Sequence, residues 1–161
     1  MKTAVYPGSF DPVTEGHMDI IRRASGMFDR LVVTVVANIN KRANFSLEER
    51  ADFLNRAVEA EGLRNVTIDT YDGLVANYVR RIGATTLVRG LRAMSDFENE
   101  FQMALANRQL CEDAVTVFLV TSVEYMYLSS SLVREIGRYG GDIRQFVPQC
   151  VADDIARRLK K

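Results

Sequence analysis

The chain has one histidine among its 161 residues, His17, and it closes the segment Pro7-Gly8-Ser9-Phe10-Asp11-Pro12-Val13-Thr14-Glu15-Gly16-His17. A single histidine excludes metal sites that need two, such as a His-Glu-x-x-His helix or a two-histidine zinc finger. What remains for it is hydrogen bonding or proton chemistry, at a point where glycines allow close backbone approach and a helix start offers unpaired amides. The competing reading is a satisfied histidine on the inner face of that helix, one turn before Ile20 and Ile21. Similar places recur along the chain. Asn38 and Lys41 follow one apolar run, Arg89-Gly90-Leu91-Arg92 follows another, and Ser129-Ser130-Ser131 follows a third at a further helix start. Gathered at one edge, these cations and helix starts would suit a polyphosphate. Neither Gly-x-Gly-x-x-Gly after the first strand nor Gly-x-x-x-x-Gly-Lys-Ser/Thr occurs, so the cradle is neither a dinucleotide loop nor a P-loop.

The elements that must bring these residues together follow from hydrophobic periodicity. Leu31 to Ala37 is continuously apolar except for Thr34, as expected of a strand covered on both faces, and shorter runs lie at Ala4–Tyr6, Val66–Ile68, Thr86–Val88 and Val115–Val120. Amphipathic stretches separate them: Ile20, Ile21, Ala24, Met27 and Phe28; then Leu47, Ala51, Leu54 and Val58; then Val75, Tyr78, Val79 and Ile82, stopped by Gly83. Ser46-Leu47-Glu48-Glu49 and Ser95-Asp96-Phe97-Glu98 both have capping-box spacing, the second opening a helix with Phe97, Phe101, Ala104 and Leu105 on one face. A serine-led helix over about 131–139, a Gly140-Gly141 break and a helix through Val151, Ile155 and Leu159 complete the chain. The alternation predicts an α/β fold: one domain over residues 1–161, built on a doubly wound, five-stranded parallel sheet. Ligands of such sheets bind beyond the carboxyl ends of the strands, where the candidate residues fall.

Charge and cysteine usage narrow the class. Lys and Arg number 21 against 21 Asp and Glu, so no bulk field recruits nucleic acid or an anionic membrane. Cys111 and Cys150 are too far apart for a Cys-x-x-Cys motif and read, like the methionines, as core residues; Asp153 and Asp154 read as a solvated helix face. No run reaches the ~18 apolar residues of a membrane span, and the opening run falls short of a signal-peptide core of ~7–15 residues. A cytoplasmic protein is expected.

Tyr6 to Pro12 with Thr14-Glu15-Gly16-His17, and Leu128-Ser129-Ser130-Ser131-Leu132-Val133-Arg134, resemble the two signatures of the nucleotidylyltransferase superfamily, whose fold is Rossmann-like. Phe45 to Arg50, Arg89-Gly90-Leu91-Arg92 and Asp96-Phe97-Glu98-x-Glu100 extend the resemblance over the whole chain to bacterial phosphopantetheine adenylyltransferases. The resemblance implies transfer of AMP from ATP to 4'-phosphopantetheine, giving dephospho-coenzyme A and pyrophosphate. Such a reaction asks for positioning and charge stabilisation, not a protein nucleophile.

By resemblance, His17, Lys41 and Arg92 are catalytic, with His17 donating to the α-phosphate. ATP would meet Ser9, Phe10, His17, Gly90, Leu91, Arg92 and Glu100, then Tyr125, Met126, Tyr127 and Leu128 beside the adenine, and Ser129, Ser130 and Ser131 at the distal phosphates. The acceptor would meet Ser9, Lys41, Arg89 and the backbone at Val75. Other readings stand beside these: Arg89 and Arg92 as partners of Glu98 and Glu100, Leu74 or Val75 as core, the serines as plain caps. Many relatives have threonine in place of Ser9, and proline is frequent where Ile39 and Ala43 stand, which would make this loop more mobile. The resemblance further implies Mg2+ bound with ATP and no dedicated protein metal site, a homohexamer, and feedback by coenzyme A. Nucleic acid and membrane partners are not expected.

Overall fold

The computed structural model describes residues 1–37 and 42–160 of the protein. Five parallel strands, β1 (Thr3–Gly8), β2 (Arg30–Val36), β3 (Val66–Tyr71), β4 (Thr86–Leu91) and β5 (Val115–Val120), form one sheet in the order β3-β2-β1-β4-β5. Among the described residues six helices connect and flank them: α1 (Glu15–Ser25), α2 (Leu47–Ala60), α3 (Val75–Ile82), α4 (Met94–Leu110), α5 (Ser130–Arg138) and α6 (Gln149–Leu159), with a 3-10 turn at Val123–Tyr125. Two buried clusters cover the sheet. One contains Ile20, Ile21, Val33, Phe53, Leu54 and Ile155; the other contains Val5, Val32, Leu87, Tyr78 and Val79. Strand residues next to each other in sequence, such as Val32 and Val33, enter opposite clusters, as a sheet packed on both faces requires.

The strand order reverses direction at β1, and that is where the sheet opens. Strand β1 pairs with β2 along its whole length, from Thr3↔Arg30 to Gly8↔Val35. Its pairing with β4 is limited to Ala4↔Thr86 and Val5↔Leu87. Beyond Val5 the two strands part, and Pro7, which has no N–H, offers no ladder donor there. The Arg89 guanidinium reaches across instead and donates through Nη1 to the Pro7 carbonyl at 2.6 Å. A crevice at this reversal is the usual ligand position of an open α/β sheet.

Local chemistry sets most boundaries as expected, with three corrections. Ser46 and Glu49 cap α2 reciprocally, and Gly83 ends α3 in the left-handed conformation at φ 67°. Helix α1 ends at Ser25 under a Gly26 cap, so Met27 and Phe28 lie beyond it. Helix α4 starts at Met94 with Ala93 as its cap and no side-chain bond at that cap, so Ser95 lies inside the helix rather than before it. The serine-led helix begins at Ser130, with Ser129 as the cap. Cys150 is exposed, as are Met27, Met103 and Met126, whereas Cys111 and Met18 are buried.

Candidate active site

A cavity of about 420 Å³ lies over the splayed ends of β1 and β4. Its floor is the β1–α1 loop. Gly8 is required there, since a Cβ at that position would stand 2.9 Å from the Phe10 ring. Phe10 itself takes a left-handed φ of 45°, uncommon for an aromatic residue, and is 1% exposed. Its ring meets Tyr6 edge-on at 5.3 Å and His17 at 4.9 Å, so Phe10 acts as a buttress for the imidazole.

Thr14 and His17 form a capping box in which histidine takes the place usually filled by glutamate. The Thr14 hydroxyl accepts from the His17 amide at 3.3 Å, and His17 Nδ1 accepts from the Thr14 amide at 3.0 Å. An acceptor at Nδ1 puts the proton of the neutral ring on Nε2, leaving that nitrogen as a donor. Burial, reinforced by the positive charges of Arg92 and Arg89, pushes the His17 pKa down from 6.5 to about 4. The ring is therefore neutral near pH 7, with a fixed tautomer.

The cations are arranged around it. Arg89 forms a bidentate pair with Glu100, through Nε at 2.7 Å and Nη2 at 2.5 Å, in addition to its bond to Pro7. Arg92 donates to the Leu128 carbonyl at 2.8 Å and pairs with Asp96 at 3.2 Å. Next to Arg92, α5 presents its N-terminus, where Ser129 caps Leu132 at 3.2 Å, Ser130 donates to the Pro12 carbonyl at 2.7 Å, and Ser131 accepts from Arg134 at 3.2 Å. A helix N-terminus beside arginines favours phosphate oxygens through both its amides and its dipole.

Of the residues singled out in the sequence, Ser9, Phe10, His17, Arg89, Gly90, Arg92, Glu100 and Leu128 to Ser131 line this cavity. Lys41 lies outside the described residues, as do Asn38 and Ile39. Val75, Leu91, Tyr125, Met126 and Tyr127 are not on the cavity wall. Tyr125 lies behind it, its Cβ 3.6 Å from where a Cβ on Gly16 would be, and Tyr127 is 62% exposed with its ring against Phe146. Glu100 faces Arg89, which satisfies one of the alternative readings, while Arg92 takes Asp96 rather than Glu98.

The wall also holds Asp11, Thr14, Arg42, Arg50, Asn99 and Arg134; Asp11, Thr14, Arg50 and Arg134 belong to the motifs that carry the resemblance, and Arg42 and Asn99 do not. Thr14 was detectable, because Thr-x-x-His has capping-box spacing with an acceptor ring in the last place. Asp11 and Arg50 become informative only through burial, at 6% and 4% exposure.

The description Cytidylyltransferase-like belongs to a family model that matches residues 5–136. A phosphopantetheine adenylyltransferase of Caldanaerobacter subterraneus subsp. tengcongensis is 48% identical over 161 residues, covering 100% of this chain and 99% of that one. Another, from Alkaliphilus oremlandii, is 51% identical and covers 99% of this chain and 100% of its own. Among solved structures, a nicotinic acid mononucleotide adenylyltransferase from Plasmodium falciparum complexed with NaAD superposes with a TM-score of 0.74 over 98% of this chain and 96% of its own. Its 13% identity makes it a match of fold alone. The family match and the full-length identities agree with the motifs around the cavity: the chain belongs to the phosphopantetheine adenylyltransferase family of cytidylyltransferase-like proteins.

Proposed function

We propose that the protein transfers AMP from ATP to 4'-phosphopantetheine, releasing pyrophosphate and forming dephospho-coenzyme A. The observation that carries this reading is His17, a neutral imidazole locked as an Nε2 donor in a cavity of arginines and a helix N-terminus. In this reading the acceptor phosphate attacks the α-phosphorus in line and pyrophosphate leaves. Charge grows on the α-phosphoryl oxygens in the transition state, and a donor already oriented there strengthens its bond without reorganisation cost. Arg92 and the α5 N-terminus hold the nucleotide phosphates, with Ser129, Ser130 and Ser131 at the helix start. Arg89, Lys41 and Ser9 hold the acceptor phosphate. Leu128 stands on the wall beside the nucleotide, while Val75 and residues 125–127 lie off it and would meet only the parts of the substrates that extend beyond the cavity, the pantetheine arm and the adenine. Glu100 serves the site through Arg89.

Magnesium belongs to the ATP substrate in this reading, held by phosphate oxygens and water. In support, each cavity carboxylate already has a partner: Asp96 with Arg92, Glu100 with Arg89, and Asp11 with backbone amides. Coenzyme A, which contains the product plus one phosphate, would occupy the same cavity as a feedback ligand. The free thiols of Cys111 and Cys150 suit a cytoplasmic setting, and among the described residues no helix is long and apolar enough to cross a membrane.

We further propose a homo-oligomer, in keeping with a hexamer, whose contacts use α4 and the edge strand β5. Phe101 is 49% exposed, Met103 57%, Leu105 52%, Val115 57% and Val120 62%. An apolar face of that kind on an edge strand and its neighbouring helix asks for a cover.

Incubation with ATP, magnesium and either 4'-phosphopantetheine or nicotinamide mononucleotide, followed by pyrophosphate, tests the reaction. Release with phosphopantetheine alone is expected. Release only with nicotinamide mononucleotide, or none with either by folded protein, defeats it.

A further inference from the structure

The cavity floor at residues 9–12 is gripped from both walls. From one wall, Arg50 Nη1 donates to the Ser9 carbonyl at 2.8 Å. The amides of Asn44 and Phe45 donate to the Asp11 carboxylate, each at 2.9 Å and to different oxygens, and Asn44 Nδ2 adds a bond of 3.3 Å. From the other wall, Arg134 Nη1 donates to the Asp11 carbonyl at 2.6 Å and approaches its carboxylate at 3.9 Å. Asn44 and α5 are also joined directly, since Arg138 donates to the Asn44 side-chain oxygen. Asp11 is thus where the two walls meet, and it is buried.

An ionised carboxylate is the one small side chain that offers acceptors on both oxygens. It faces amide donors on each, with the backbone of 44–45 ordered around it. An amide in its place would present an NH2 to one of those donors.

We propose that Asp11 is a positioning residue, setting the 42–50 wall against the nucleotide-binding start of α5 so that acceptor and nucleotide meet in line. The inference rests on the adenylyl-transfer reading, in which Ser9, whose carbonyl Arg50 holds, meets the acceptor phosphate. Displacements of about 1 Å between reacting groups cost on the order of a hundredfold in rate, so a strut of this kind affects turnover without touching substrate.

The test uses the full chain carrying Asp11→Asn. Pyrophosphate release is measured with each substrate varied in turn, and amide hydrogen exchange is followed at Asn44 and Phe45. The expected result is a loss of roughly tenfold to a hundredfold in kcat/KM for 4'-phosphopantetheine with the ATP KM within about threefold. Exchange at Asn44 and Phe45 accelerates while the amides of β1 and β2 keep their protection. A raised ATP KM together with loosened strands would reduce Asp11 to a structural role, and normal kinetics with fast-exchanging Asn44 and Phe45 would also overturn the proposal. Asn44→Ala, which removes the side-chain bonds of Asn44 to Asp11 and from Arg138, lowers kcat/KM for 4'-phosphopantetheine by a smaller factor; an unchanged value there counts against the strut. Should Asp11→Asn fail to fold, exchange in the native protein decides: unprotected Asn44 and Phe45 amides mean that no strut exists. Failure of the native chain to release pyrophosphate at all would instead defeat the underlying reaction.

Discussion

Helices α1 and α4 each follow a strand of the cleft and each supply residues to the same cavity, yet they are held in opposite ways. Helix α1 buries Met18, Asp19, Ile20, Ile21 and Ala24 and is closed at its start by the Thr14–His17 box. Helix α4 has an alanine cap, and its large apolar residues face outward. What ties it to the site is ionic: Glu100 on Arg89 and Asp96 on Arg92, with Phe97 edge-on to Phe118 at 6.2 Å. The group that must be placed most accurately thus stands on the core-anchored helix. The helix that only restrains the arginines is the one whose apolar face the proposed homo-oligomer would cover. Pre-organisation of a reacting group is stringent, whereas an arginine's long side chain can absorb small shifts of its partner.

The largest effect expected from this contrast is at His17. Replacing it with alanine removes one oriented donor and lowers kcat by about 10²–10³ while leaving the ATP KM near its starting value. A variant that turns over at near-native rate would move the chemistry off α1.

A smaller loss is expected from the outward face of α4. Leu105→Glu puts a charge among the exposed apolar residues of α4, at a position that does not line the cavity. The proposed homo-oligomer is then expected to dissociate toward monomers in sedimentation, with kcat/KM falling about tenfold as Asp96 and Glu100 lose their rigid backing. Monomers with full activity would show that the ion pairs alone suffice to hold α4.

Smaller again is the effect of Glu100→Gln, which keeps the shape and removes the charge opposite Arg89. With one bond of the bidentate pair weakened, about 0.5–1 kcal/mol is lost, and the acceptor KM rises about 2- to 5-fold with little change in kcat. A rise confined to the ATP KM would instead make Glu100 a nucleotide contact.

The same contrast explains what the sequence revealed. The strands are legible because continuous runs such as Leu31 to Val36 are buried on both faces, and a run of that kind has few other homes. Helix α1 was legible to Ala24, but Met27 and Phe28 continued its periodicity past Gly26, where Phe28 packs on the core from a turn. On α4, a stripe of Phe97, Phe101 and Leu105 looks the same in sequence whether it will meet the chain's own core or another copy. Periodicity gives a face, not its partner. The Ser95 box misled for a related reason: Arg92 bonds Asp96 and Leu128, and the helix then starts earlier than local capping favours. In the site, residue types adjacent to strand ends were legible, but the bonds joining Asp11 to Asn44 and Arg50 to Ser9 span more than thirty residues and have no local signature.

The smallest effect expected is a near absence of one. With its pKa near 4, His17 stays about nine-tenths neutral at pH 5, so kcat at saturating substrate is nearly flat between pH 5 and 7 as far as this ring is concerned. With an unperturbed pKa of about 6.5 the ring would be mostly protonated at pH 5, its Nδ1 could no longer accept from the Thr14 amide, and kcat would fall as the capping box that orients the ring opened. Stability responds in the same window with a definite sign. Between pH 6.5 and about 4 the unfolded chain binds a proton at His17 that the folded chain refuses, so folding weakens as pH falls through that range and is unaffected by this group above it. In His17→Gln that slope is lost. Because the chain has one histidine, its ring proton resonances need no assignment, and a titration by NMR reads the value directly. A midpoint near 4 keeps the imidazole a neutral Nε2 donor held by α1; a midpoint at 6.5 would mean that neither burial nor the two arginines reaches it, and the contrast between the two helices would lose its chemical half.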